Sequence, residues 1–572
     1  MPPAPLYPLV TANGGAASGR RGMFASRTDW PLEPNRFSLA LENQRRTGAK
    51  LFDLSASNPT TCGFAYPEHE ILAALADPRA LTYRPESKGL REAREAVANY
   101  YRSRAGFTFP ESHRVDASSV HGGRGEDASP VRAESAHANL THAASVAANV
   151  VRPASGNTNF VHGTTEDAGV VQPVSADVNP VRAETGNASS ARAAGGAANP
   201  VRTAGADANP AQAAGVHVNP VHAVSVDVQT VDPENIVLTS GTSEGYSYIF
   251  RLLCEPGDEI LVPAPSYPLF EFLADLADVR LVPYPLLYDH GWQIDFDALR
   301  AALAPRARAV LVVHPNNPTG SFVKPREAAE LAEMCASRGM AIVADEVFLD
   351  YPAIKRTAGN RTADDGTTGD RTSDERTGHE STTAERADSG GADGAAPRSF
   401  AFGSAALTFT LSGISKICAL PQMKLAWIVA GGPQHLVAAA MERLEIIADT
   451  FLSPGAPAQV ALPRFLEMSG ALQAQLQQRV ATNLAYLDAL LQSEPGPLER
   501  LAREGGWYAV LRIPSSRPDE EYAVELLERC AVLVHPGQFF NFSQEGFLVL
   551  SLIAPEDDFR EGARRLQKFF AA

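Results

Sequence analysis

Cysteine is scarce and scattered in this 572-residue sequence. Cys62, Cys254, Cys335, Cys418 and Cys530 form no CxxC pair, so their spacing offers neither a zinc site nor a disulfide framework, and a reducing, cytoplasmic setting fits. Positive charge is short as well. Fifty Lys and Arg against 66 Asp and Glu leave a formal net charge of -16, which argues against a nucleic-acid surface and against a polybasic membrane anchor. No apolar run approaches the ~18 residues of a membrane span, and the opening "MPPAPLYPLVTANGGAASGRRGMF" lacks the charged start and long apolar segment of a secretory signal. Residues 1 to about 28 read as a disordered leader. With 44% hydrophobic residues, the chain has enough apolar side chains for a large core, and small-molecule chemistry is the natural expectation.

Two stretches lack what a core needs. From 129 to 228 the sequence repeats every ten residues, as in NFVHGTTEDA, NPVRAETGNA and NPVHAVSVDV. A fixed period can mark a stacked solenoid, but one small apolar residue per unit among Pro, Gly and Ala offsets little chain entropy, and a disordered tract is the preferred reading. Its histidines, such as His142, His162 and His222, read as solvated. Residues 354 to 397 are almost free of apolar side chains and read as a second disordered insert. Without both, roughly 400 residues remain, a size suited to a two-domain enzyme.

What is present outside these inserts alternates short apolar runs with helical patterns: "ENIVLTSG", "DEILVPAPSYPLFEFLADL", "RAVLVVHPNNPTG", "MAIVADEVF", "KLAWIVAGG". This predicts an α/β fold with a mostly parallel sheet, in which ligands gather at the carboxyl ends of strands. Polar residues stand at those ends. "IVLT" leads into Ser240-Gly241-Thr242, a turn before a helix whose N-terminus suits a phosphate or serves as a plain cap. "AVLVV" leads into His314-Pro315-Asn316-Asn317, and "AIVA" into Asp345, an acid that needs a partner if buried. Lysine is rare, yet "SGISKICALPQMKLAWIVAGG" holds Lys416 and Lys424, with Leu420 to Val429 reading as a buried strand. A desolvated lysine has a lowered pKa, and its neutral amine attacks carbonyl carbons. A phosphate cradle, a carboxylate and such a lysine are the parts that hold pyridoxal 5'-phosphate.

The combination "DLSASNPT", "YRPESKGLREAREAVANYY", "SGTSEG", "PSYP", "NNPTG", "ADEVF" and "SGISK", in this order, resembles the fold-type I pyridoxal-phosphate enzymes of aminotransferase class I/II over about residues 36–110 and 232–570. The resemblance implies a large domain at 231–450, and a smaller α/β domain built from 451–572 with part of 29–110, the repeat insert occupying 111–230. It implies that Lys416 forms the Schiff base and shuttles the proton, and that Asp345 meets the ring nitrogen. Asn317 would meet the ring hydroxyl oxygen and line the substrate site, Tyr267 would stack on the ring, and Ser240, Gly241, Thr242 and Lys424 would hold the phosphate. Tyr83 would reach that phosphate from a second subunit, which makes a homodimer the expected assembly. Amino acids and 2-oxo acids are the implied partners.

Three positions depart from the pattern. Phe348 stands where a tyrosine is usual, Lys424 where an arginine is usual, and Val549 where an arginine binds the substrate carboxylate. Arg512 in "GGWYAVLRIP", on a predicted strand face with Tyr508 and Val510, is the candidate replacement. Amino-group transfer is the leading reading. A β-lyase would instead release ammonia without a 2-oxo acid acceptor, and a non-catalytic cofactor-binding domain would show no spectral response to an amino acid.

Overall fold

The structure, a computed structural model, describes residues 23–30, 32–104, 230–268, 270–353 and 398–571. Both inserts therefore lie outside the described residues, as does most of the leader. The leader's last residues differ from expectation. Ser26–Thr28 form a 3-10 turn, where Arg27 pairs with Asp278 at 2.5 Å.

Eight strands form the main sheet, in the order Ile236–Thr239, Ala426–Gly431, Thr408–Gly413, Ala341–Asp345, Ala307–Val313, Glu259–Ala264, Arg280–Tyr288 and Trp292–Ile294. All but Ala426–Gly431 and Trp292–Ile294 run in one direction. Both faces of the sheet are covered: every residue of the inner strands Ala341–Asp345 and Thr408–Gly413, and of the edge strand Ile236–Thr239, is buried. On one face the helix Thr242–Leu253 comes so close that a Cβ on Gly245 would lie 2.5 Å from Leu411. The helix Gln434–Phe451 packs with it through Val437, Met441 and Leu444. The strand expected from Leu420 begins only at Ala426, because Pro421–Met423 form a 3-10 turn and Lys424 takes a left-handed conformation.

A second, antiparallel sheet joins Glu499–Arg500, Tyr508–Arg512, Phe547–Ser551 and His535–Pro536, and Phe52–Asp53 pairs in parallel with Val532–Leu533. The helix Ala456–Ser493, 38 residues long, serves both cores. Its first part packs Leu462 and Phe465 among Val97, Tyr101 and Trp427 of the main-sheet core. From Leu472 onward it packs among Trp507, Leu511 and Leu548. The core thus passes from one sheet to the other inside this helix. Among the described residues no helix is long and apolar enough to cross a membrane.

Candidate active site

The parallel strands bring their carboxyl ends to one edge, where several of the residues singled out in the sequence stand. Asp345 closes its strand in a buried position. Its carboxylate accepts from the Tyr246 hydroxyl at 2.8 Å and from the Val347 amide at 3.1 Å. Burial raises its pKa, opposed by Tyr246, by the Val347 N–H and by the charge of Lys416.

Lys416 follows the neighbouring strand. At Gly413 a Cβ would lie 2.8 Å from that of Ala426 and 3.0 Å from the Leu425 carbonyl oxygen, so only glycine permits the close approach of the next strand. The chain then turns into the short helix Ile414–Ile417, which carries the lysine. Burial lowers the Lys416 pKa to about 8, against the upward pull of Asp345. Its Nζ stands 4.7 Å from the Trp507 ring centre and 5.4 Å from that of Phe348. An appreciable fraction of the amine is consequently neutral just above neutral pH, the form that attacks a carbonyl.

Ser240 differs from its expected part. Its amide and hydroxyl both donate to the Glu244 carboxylate, at 2.7 and 3.0 Å, and Glu244 also accepts from Ser453 at 2.5 Å. The first turn of Thr242–Leu253 still presents amides without intrahelical partners at Gly241 and Thr242. A Cβ on Gly241 would lie 3.5 Å from Lys424 Nζ, so an ammonium group and a helix N-terminus meet at one point. Such a pairing of charge and amide dipoles favours an anion.

Adjacent asparagines divide their work. Asn316 holds the turn, its Nδ2 donating to the Pro265 carbonyl at 3.0 Å and to Thr319 at 2.9 Å. Asn317 is also buried, and its Oδ1 has no hydrogen-bond partner among the described residues, which leaves that acceptor free for a ligand. His314 in the same run is structural. Its Nδ1 accepts from the Val323 amide at 3.0 Å, and burial pushes its pKa down to about 3. Tyr267 keeps 37% of its surface open beside this turn. Its pKa is raised to about 12, by desolvation first and then by Tyr508 and Asp345.

Sequence reasoning missed Tyr246, Trp507 and Tyr508. The first is one helical turn beyond the phosphate turn and becomes visible only through its contact with Asp345. The second and third follow Gly505-Gly506, a pair that marks close backbone approach. Phe348 packs edge-on against Trp507 at 4.9 Å.

Arg512 is not brought to this group. Its Nη1 donates to Glu499 at 2.6 Å and its guanidinium lies over Tyr288, 5.5 Å from the ring centre. Antiparallel pairing sets Glu499 opposite Arg512, which neutralises it, and four residues of strand separate it from Tyr508 by roughly 13 Å. Val549 is fully buried between Val510 and His535 in the small sheet. Tyr83 is 78% exposed next to Leu81.

A family model described as aminotransferase class I and II matches residues 221–566. The chain belongs to that family. This aminotransferase is 26% identical over 347 residues to the arginine–pyruvate transaminase of Pseudomonas aeruginosa, covering 59% of this chain and 75% of that protein. It is 24% identical over 359 residues to the glutamate–pyruvate aminotransferase of Escherichia coli, covering 60% and 77%. Among solved structures, an Escherichia coli aminotransferase superposes with a TM-score of 0.59 at 20% identity over 93% of this chain and 94% of that one. An alanine aminotransferase from Pyrococcus furiosus superposes equally well, with a TM-score of 0.59 at 17% identity over 94% and 96%. The aminotransferase is of fold type I, uses pyridoxal 5'-phosphate, and moves an amino group between an amino acid and a 2-oxo acid. The residues present fit that cofactor: the Lys424 ammonium at Gly241, and a buried Asp345 within the field of a lysine of lowered pKa.

Proposed function

We propose that Lys416 is the cofactor-bearing and proton-transferring residue, that Asp345 holds the ring nitrogen, and that pyruvate is the 2-oxo acid acceptor. The observation that carries the residue roles is the Lys416–Asp345 pair, a lysine of lowered pKa under the charge of a buried carboxylate held by Tyr246. Asn317 meets the ring oxygen, Tyr267 covers the ring, and the Gly241 and Thr242 amides with Lys424 hold the phosphate. Pyridoxal phosphate supplies the electron sink that makes the Cα–H bond of the amino acid acidic. Lys416, as the free amine, takes that proton and returns it, so its neutral form is the active one. Trp507 and Phe348 wall the lysine, and such apolar surroundings suit the methyl group of pyruvate and exclude water. Pyruvate also appears in the names of the arginine–pyruvate and glutamate–pyruvate relatives. A screen of amino donors with pyruvate, read as alanine formed, tests this. Turnover with other 2-oxo acids and none with pyruvate would refute the acceptor while leaving the residue roles intact.

The assembly we propose is a homodimer in the cytoplasm, with Tyr83 serving the partner's phosphate site. Tyr83, Leu81 and Ile446 are 78, 89 and 70% exposed, and Ser87 ties the Tyr83 segment to Asp449 on the Ile446 helix at 2.8 Å, which makes an apolar patch suited to a second copy. Tyr83→Phe should weaken cofactor retention by about tenfold, the worth of one charge-assisted hydrogen bond. Dimerisation by light scattering should not change. A fully active monomer would contradict this arrangement.

A further inference from the structure

A second cavity lies between the later part of the helix Ala456–Ser493 and the segments Tyr351–Ala353 and Arg503–Gly506. Val480, Ala481 and Leu484 give it an apolar wall, and Arg503 is the charged residue among those that line it. Among the described residues the guanidinium has no carboxylate within ion-pair distance. Its Nη2 donates to the carbonyl oxygens of Gly505 and Gly506, and its Nε is buried without a hydrogen-bond partner. Neighbouring acids are engaged elsewhere: Glu504 accepts from the Phe322 amide at 2.9 Å and pairs with Lys324, while Asp488 is held by Arg500 at 2.5 and 3.2 Å. Burial pushes the Arg503 pKa down to about 10, with the like charge of Arg500 adding to it and the charge of Asp488 opposing. The side chain is half-buried, its Nε is unpartnered, and the protein offers it two carbonyl dipoles and the longer-range charge of Asp488, so an anion entering the cavity would complete its pairing.

We propose that this cavity binds a small organic carboxylate, with the carboxylate on Arg503 and the hydrocarbon part against Val480 and Leu484. The apolar wall selects against a fully hydrated ion such as inorganic phosphate. The position also matters to the lysine. Gly505 packs against Gly320 of the asparagine turn, where a Cβ on Gly320 would lie 2.5 Å from the Gly505 carbonyl oxygen. The Gly506 amide donates to the Tyr351 carbonyl at 2.8 Å, and the Tyr351 hydroxyl donates to the Lys416 carbonyl at 2.7 Å. Trp507, next in the chain, stands over Lys416 Nζ. An occupant of the cavity therefore bears directly on the segment that walls the active lysine.

Calorimetric titration of the holoenzyme with isobutyrate, which has neither amino nor oxo group and is not turned over, tests the site, with inorganic phosphate as the comparison. Wild type should bind isobutyrate, and Arg503→Gln should weaken it at least about tenfold through loss of the charge-assisted contact. Ala481→Phe, which fills the cavity and leaves the arginine, should weaken it similarly. Neither substitution should alter the visible spectrum of the bound cofactor. Absence of isobutyrate binding by wild type, unchanged affinity in both variants, or binding of phosphate alone would overturn the proposal. Should Arg503→Gln not fold, Ala481→Phe decides on the same criterion.

Discussion

Lys416→Ala is expected to abolish transamination, by at least about 10³-fold, together with the visible absorbance of lysine-linked cofactor, because among the described residues the other amine near the site, Lys424, stands at Gly241 rather than beside Asp345. Lys416→Arg is the matched control. It keeps a cation near Asp345 but cannot form the linkage, and it should be equally inactive. The fold should survive the alanine substitution, since the desolvated ammonium opposes stability. The sign follows from its pKa, lowered to about 8 in the folded chain from 10.5. Below pH 8 both states carry the proton and the burial cost is present in full. Between 8 and 10.5 the unfolded chain binds more protons, so wild-type stability rises with pH there and the cost vanishes. Thermal unfolding of the cofactor-free proteins should accordingly show the alanine variant gaining most on wild type below pH 8 and least above 10.5. Retained turnover in Lys416→Ala would remove it from its assigned role.

Much of this site was legible because its parts are local. Each candidate sits where an apolar strand gives way to a turn, and the parallel sheet brings those ends together whatever the loops between them do. Ser240, Asp345, Asn317 and Lys416 could be named from such runs. The errors come from contacts that sequence spacing does not encode. Ser240 shares a turn with Glu244, whose carboxylate takes both its donors. Arg512 sits on the strand face foreseen for it, but the antiparallel register sets it against Glu499. Tyr246 and Trp507 reach the site across the fold, from the first helix after the phosphate turn and from the small sheet. The same limit applies to Arg503, whose lack of a carboxylate within ion-pair distance among the described residues is a property of packing, with Glu504 beside it in sequence yet turned to Lys324.

Asp345→Asn separates two effects of one carboxylate. Asparagine keeps an acceptor for the buried Tyr246 hydroxyl, so the fold should hold, and Lys416 remains to retain the cofactor and its absorbance. The charge is lost. In the proposed assignment that charge faces the cofactor ring, and kcat should fall by about 10²- to 10³-fold, the usual worth of one well-placed electrostatic partner in a water-poor site. A second consequence is independent of turnover. The Asp345 charge is what pulls the Lys416 pKa upward against burial, so its removal should lower that pKa below about 8. Uptake of cofactor by the cofactor-free protein requires the neutral amine and should rise through a midpoint near pH 8 in wild type. In Asp345→Asn the midpoint should move to lower pH. Stopped-flow absorbance across pH 6 to 10 reads both proteins directly. A midpoint that stays in place would mean that Asp345 does not act on the lysine. An unchanged kcat would deny it any role toward the ring.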